Sequence, residues 1–130
     1  MEPSKILVVE DNDLNMKLIR AVLQYGGYEI LEARDGESAL REAAGAQPDL
    51  ILMDVQLPKM SGLDVTRQLR SDEATASVPV IAMTAYALRG DKEKIMEAGC
   101  DGYVSKPIDT RALPGVIAEY LDRADSGGGD

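Results

Sequence analysis

The sequence contains no histidine, no tryptophan, no phenylalanine and only one cysteine, Cys100. Without histidine there is no imidazole general base, no His-ligated metal and no phosphohistidine of the chain's own. One cysteine cannot close an internal disulfide, which agrees with a reducing compartment. The five tyrosines are the only aromatic residues, too few for the stacked walls that a flavin needs. No apolar run approaches the ~20 residues of a membrane helix, and Met1 to Lys5 leads into a strand-like run without a secretory apolar region. A cytoplasmic location is the expectation.

Positive charge is also in short supply. The 130 residues carry 14 Lys plus Arg against 23 Asp plus Glu, a net charge of −9. That charge repels phosphate backbones and anionic lipid, so neither nucleic acid nor a membrane is an expected partner; a cation or a basic protein patch is. With 45% apolar and 28% charged residues, the chain is too apolar to remain disordered. At this length roughly two-thirds of the surface is buried on folding. One domain is expected over residues 1–124, followed by a polar, glycine-rich tail over 125–130.

Three short apolar runs, Lys5 to Val9, Asp49 to Met53 and Val78 to Met83, read as buried strands, with weaker candidates at Glu29 to Ala33 and Gly102 to Ser105. Helical patterns lie between them. Leu14, Leu18 and Val22 with Ile19 and Leu23 form one apolar stripe ending at Gly26 and Gly27. Ala39, Leu40, Ala43 and Ala44 mark a second helix. Ser61 and Asp64 suggest a capping box for a third, with Val65 and Leu69 inward. Leu88, Ile95 and Met96 mark a fourth that stops at Gly99. Val116, Ile117, Tyr120 and Leu121 mark a fifth, with Pro114 near its first turn. Alternating apolar strands and helices predict an α/β fold, a five-stranded parallel sheet doubly wound with five helices.

Ligands of such sheets bind at the carboxyl ends of the strands. Glu10 and Asp11 follow the first strand, Asp54 the third, Thr84 the fourth, and Lys106 with Pro107 the fifth. Converging carboxylates repel one another unless a cation lies among them, and oxygen-only ligands with room for water suit Mg2+. Each residue also has an ordinary explanation. Glu10, Asp11 and Asp13 could be helix caps, Thr84 a strand-end hydroxyl, Tyr103 a half-buried strand aromatic, and Cys100 a small structural residue. What favours a site is that carboxylates end two strands while an ammonium ends a third.

Four segments, Val9-Glu10-Asp11-Asn12, Leu52 to Pro58, Met83-Thr84-Ala85 and Ser105-Lys106-Pro107-Ile108, resemble the signature blocks of response-regulator receiver domains in order and spacing. The resemblance runs from about Lys5 to Leu121. Longer strings, Glu10 to Leu18 and Thr84 to Asp91, are similar to the DivK-like single-domain branch and to receivers of hybrid sensor kinases. The resemblance implies a CheY-like strand order 2-1-3-4-5, with Asp54 as phosphoacceptor. It implies Mg2+, for which Mn2+ can substitute, held by Glu10, Asp11, Asp54 and the backbone carbonyl of Gln56. Lys106 and Thr84 would contact the phosphoryl oxygens, and Thr84 and Tyr103 would switch with phosphorylation.

The phosphoryl donor would be a sensor histidine kinase or a histidine phosphotransferase. A downstream protein would bind the face of the fourth helix, fifth strand and fifth helix, with Arg89, Lys92, Lys94 and Arg111 as polar contacts. The molecule would be a monomer or a weak phosphorylation-dependent dimer, with a role in cell-cycle or developmental control. The short flanks at both ends favour a stand-alone regulator over a receiver excised from a larger protein; a relay intermediate is a further alternative. A turnover phosphatase using Asp54 is disfavoured, because Gln56 stands where such enzymes carry a second, titrating aspartate. Tyr86 would obstruct the water that hydrolyses the phosphoryl-aspartate and so lengthen its life.

Overall fold

Alternate strand residues enter opposite cores in the computed structural model, which describes residues 2–85 and 90–128. β1 (Lys5–Val9) sends Ile6 and Val8 to one side and Leu7 and Val9 to the other; β3 (Leu50–Asp54) and β4 (Val80–Thr84) divide in the same way. Both faces are covered, which is why these runs are continuously apolar rather than alternating. With β2 (Glu29–Ala33) and β5 (Gly102–Ser105) they form one parallel sheet ordered β2-β1-β3-β4-β5. α1 (Asp13–Tyr25) and α5 (Leu113–Gly128) supply Met16, Ile19, Leu23, Leu113 and Ile117 to one core. α2 (Gly36–Ala46), α3 (Gly62–Ser71) and α4 (Asp91–Ala98) pack on the other face through Ala39, Ala43, Leu63, Val65, Leu69, Ile95 and Ala98.

The expected class, strand order and element count agree with this fold; several local details differ. β3 begins at Leu50, and Asp49 before it ties the start of β1, its carboxylate accepting the Lys5 N–H at 2.7 Å. β4 begins at Val80, since Pro79 has no N–H for a ladder and the Val78 N–H closes a turn onto the Thr75 carbonyl. On α1 the buried row is Met16, Ile19 and Leu23, while Leu14 and Leu18 are 66% and 41% exposed. The apolar residues of α1 are broader than the contact with the sheet, and the inner row follows i, i+3, i+7 rather than 14, 18, 22.

Ser61 caps α3 by accepting the Leu63 N–H, but Asp64 closes no capping box and pairs with Arg67 at 2.8 Å. Leu88 lies outside the described residues, and Met96 is exposed. Asp109 accepts the N–H groups of Arg111 and Ala112, so α5 starts only at Leu113, with Pro114 in its first turn. It runs to Gly128, past the Asp125 at which the sequence suggests a tail. Among the described residues no helix is long and apolar enough to cross a membrane.

Candidate functional site

Parallel pairing brings the carboxyl ends of β1, β3, β4 and β5 to one edge, and the groups that follow them meet there. Asp54 pairs with Met83 and Thr84 with Ser105, while the Lys106 N–H donates to the Thr84 carbonyl at 2.8 Å. These contacts carry the Lys106 ammonium inward, to 2.9 Å from Glu10 Oε1 and 3.0 Å from Asp54 Oδ1. The peptide bond from Lys106 to Pro107 is cis. Carboxylate oxygens of Glu10, Asp11 and Asp54 lie within 4.8 Å of one another; Glu10 and Asp54 are buried and Asp11 is exposed.

The local backbone fixes each of these acids. Asn12 rather than an acid caps α1, its side chain accepting the Asn15 N–H at 2.9 Å, and its own N–H donates to Glu10 Oε2 at 3.2 Å. Glu10 is thereby turned into the protein while Asp11 points out. Glu10 Oε1 is fully buried and has no directed hydrogen bond; the Lys106 contact is an ion pair in proximity only. After β3 the Gln56 N–H donates to Asp54 Oδ1 at 3.0 Å, holding the carboxylate against the turn.

The pair of buried acids shares one ammonium, and their titrations separate. Burial pushes Asp54 up to about 6, and the neighbouring Glu10 adds to the rise. Burial acts on Glu10 as well, but its contacts with Asp54 and Lys106 and the bond from the Asn12 N–H outweigh it and hold Glu10 below the ordinary carboxylate value. Lys106 loses hydration too, and contacts with both acids more than compensate, so its pKa is raised and it stays charged. One cation among three carboxylates leaves the cluster short of positive charge. An unbonded buried oxygen, an exposed third carboxylate and an all-oxygen donor set fit a hard, partly hydrated divalent ion.

Thr84 lies at the same edge and is buried, and its hydroxyl donates to Asp91 Oδ2 at 3.1 Å. Tyr103 is not at the edge. It pairs with Ala82, two positions back along β5, and packs partly buried against the core that includes Ile95 and Ala98. Lys92 and Lys94 are exposed on α4. Arg111 lines a groove with Leu18, Ala21, Val22, Tyr25, Thr110 and Pro114 between α1 and the start of α5. Tyr86 and Arg89 lie outside the described residues.

Two residues that sequence patterns did not single out shape the site. Gly62 opens α3 so close to the end of β3 that a Cβ there would stand 2.0 Å from the Asp54 carbonyl oxygen. Its N–H donates to Val55 O at 2.9 Å, which locks the turn after Asp54. Asp91 is the second, through Thr84. A glycine directly after a serine N-cap was the available signal for the first; only the three-dimensional contact reveals the other.

Over residues 6–118 the chain matches the family described as the response regulator receiver domain. It belongs to that family. Among curated relatives this receiver domain is 48% identical over 122 residues to the polar-differentiation response regulator DivK of Brucella anthropi, covering 94% of this chain and 99% of that protein. The DivK of Brucella ovis is 49% identical over 119 residues, 92% of this chain and 97% of that protein.

Among solved structures, the receiver domain of the Pseudomonas aeruginosa sensor histidine kinase PA1611 superposes with a TM-score of 0.86 at 38% identity, covering 92% of this chain and 98% of that one. That protein has a magnesium ion coordinated in its active site cleft. The Vibrio cholerae chemotaxis protein CheY4 has the same TM-score at 27% identity, over 91% of this chain and 98% of its own. This receiver domain is closely related to DivK single-domain response regulators, and phosphorylation-dependent signalling fits its architecture.

Proposed function

We propose that this receiver domain takes a phosphoryl group onto Asp54 from a phosphohistidine on another protein and signals through the resulting change in protein contacts. One observation carries the reading: a buried aspartate at the sheet edge, 3.0 Å from a lysine ammonium and within reach of two further carboxylates. A lone pair of the Asp54 carboxylate forms the new O–P bond as the P–N bond of the donor breaks, its electrons returning to the donor imidazole. With no histidine in the chain, the donor is a sensor histidine kinase or a histidine phosphotransferase.

Phosphoryl transfer asks a protein mainly for alignment and positive charge. The Gln56 N–H and the Gly62 turn hold Asp54 in place. Lys106, already beside Asp54, is the residue we assign to the incoming phosphoryl oxygens, with Thr84 donating to one of them. Glu10, Asp11, Asp54 and the Gln56 carbonyl are the proposed Mg2+ ligands, and their oxygen-only chemistry would accept Mn2+ too. The bound ion would supply the neutralising charge that one lysine among three acids cannot. Gln56 cannot titrate, which supports a single self-modification with slow self-hydrolysis over turnover of phosphate esters.

The donor must bring its imidazole to the edge at which α1 begins. Leu14, Leu18 and Tyr25 are exposed along α1, and Leu18 and Tyr25 with Ala21, Val22 and Pro114 line a groove of about 540 Å³. An exposed apolar patch of this kind marks a protein contact, and its place on the helix that follows Asp11 supports the phosphohistidine protein as the occupant. Lys92 and Lys94 of α4, with β5 and α5, form the proposed face for the downstream target and for any weak phosphorylation-dependent dimer. Tyr103, packed beneath α4, is the proposed companion of Thr84 in the switch. The charge of −9 supports a protein rather than nucleic acid or membrane as the target, in the cytoplasm. The polar-differentiation relatives favour cell-cycle or developmental control.

Acetyl phosphate with Mg2+, read by intact mass, tests the centre of this reading. Wild type gains one phosphoryl group, Asp54→Asn gains none, and Asp11→Asn needs about tenfold more Mg2+ for the same rate. Labelling that persists in Asp54→Asn would overturn the assignment.

A further inference from the structure

A hydroxyl group has one proton to donate, and the structure places an acceptor for that of Thr84 on the next helix. Thr84 is buried at the end of β4, and its Oγ1 donates to Oδ2 of Asp91, the first residue of α4, at 3.1 Å. That bond bridges the sheet edge and the helix across residues 85–90. It matters because, among the described residues, the first turn of α4 has neither a side-chain cap nor a buried residue. Its N-cap is Gly90, with φ of 94° and no side-chain cap hydrogen bond. Its buried residues are Ile95 and Ala98, both in the second half of the helix.

We infer that Asp91 is the off-state partner of Thr84, a positioning residue that holds the hydroxyl and the first turn of α4 in place until a phosphoryl oxygen on Asp54 competes for the same proton. The inference rests on Asp54 being the phosphoacceptor. A phosphoryl group brings about −1.5 to −2 charge and three acceptor oxygens. For Thr84 to donate to one of them, the bond to Asp91 must break, since the proton cannot serve both acceptors. Breaking it releases the first turn of α4, which has no side-chain cap to take its place. Asp91 thus lowers the affinity of the site for a phosphoryl group and ties that affinity to the position of α4. By linkage, a partner that binds the released form of α4 raises affinity at Asp54 by the same factor.

The test is a titration with trifluoroberyllate, a phosphoryl mimic, at saturating Mg2+, followed by amide NMR, which also reports whether each variant is folded. Asp91→Ala is expected to bind the mimic about tenfold more tightly than wild type, within the usual range of such couplings. Amide exchange over residues 91–94 should also be faster in its unliganded state. Asp91→Asn, which keeps an acceptor oxygen without the charge, should fall between the two. In a Thr84→Ala background the Asp91→Ala change should no longer alter binding.

If wild type binds the mimic but Asp91→Ala binds no more tightly, or the tightening persists without the Thr84 hydroxyl, the inference is overturned. Should Asp91→Ala lose its fold, Asp91→Asn carries the same decision, with affinity equal to or below wild type counting against it. If wild type itself fails to bind, it is the assignment of Asp54 that falls.

Discussion

Replacing Asp54 with asparagine should make the metal-free protein more stable. The carboxylate is 2% exposed, and burial with Glu10 beside it raises its pKa from 3.8 to about 6. Each pKa unit corresponds to about 1.36 kcal/mol, so keeping Asp54 ionised in the fold costs up to about 3 kcal/mol above pH 6. Asparagine has the same shape, and its carbonyl oxygen can still accept the Gln56 N–H now bonded to Oδ1. The ion pair with Lys106 that it gives up already lowers that pKa and is included in the figure. The net expectation at pH 7.5 in EDTA is up to about 3 kcal/mol of added stability, several degrees in Tm for a chain of this size.

The sign of the pH dependence follows from the same shift. The folded pKa of Asp54 lies above its unfolded value, so between pH 4 and 6 the folded state binds more protons, and stability falls as pH rises. Glu10 is shifted the other way, and its contribution changes below about pH 4.5, outside most of that window. Urea unfolding followed by far-UV circular dichroism, suited to a chain without tryptophan, measures both effects. Mg2+ should remove the penalty in wild type and add little to Asp54→Asn, because ligand stabilisation scales with affinity for the fold. A metal-free Asp54→Asn less stable than wild type at pH 7.5, or a wild-type stability that is flat from pH 4.5 to 6.5, would refute the reasoning.

Gly62→Ala forces a methyl group to within 2.0 Å of the Asp54 carbonyl oxygen; we expect a loss of about 1–3 kcal/mol in urea unfolding and slower acetyl-phosphate labelling, because the backbone of Asp54 must move. Leu18→Glu places a charge in the groove beside α1 without touching the acids. Transfer from a phosphohistidine protein should fall at least tenfold while acetyl-phosphate labelling stays within twofold, and equal effects on both would remove α1 as the docking face.

The parts of this molecule that were legible in its sequence are those governed by local pattern. Continuous apolar runs such as Lys5 to Val9 mark strands buried on both faces, and the topology then obliges whatever follows them to share an edge. Glu10, Asp54 and Lys106 could therefore be grouped before their distances were known. The exposed row of α1 could not, because Leu14 and Leu18 are as apolar as Ile19 and Leu23, and only the docking angle of the helix separates them. That Arg111 lines the groove beside α1 was likewise not legible, because it depends on how the chain enters α5. Asp91 reads in sequence as an ordinary acid in a first helical turn; its bond to Thr84 depends on where the chain returns after residues 85–90.

These departures from simple packing rules fall where two states must be close in energy. Ionised Asp54 is costly in the resting fold because it is buried against another acid, and that same cost favours any cation or phosphoryl chemistry that relieves it. A better-compensated site, with a second lysine or an asparagine at 54, would be more stable and would have less to gain from Mg2+. α4 follows the same logic at its first turn, where Gly90 provides no side-chain cap and the helix is tied to the sheet through Asp91 and Thr84. A strong N-cap at position 90 would hold that turn independently of Thr84, so a phosphoryl group on Asp54 could capture the hydroxyl without moving α4. Incomplete compensation at Asp54 and at the start of α4 is therefore what couples the chemistry of one to the position of the other.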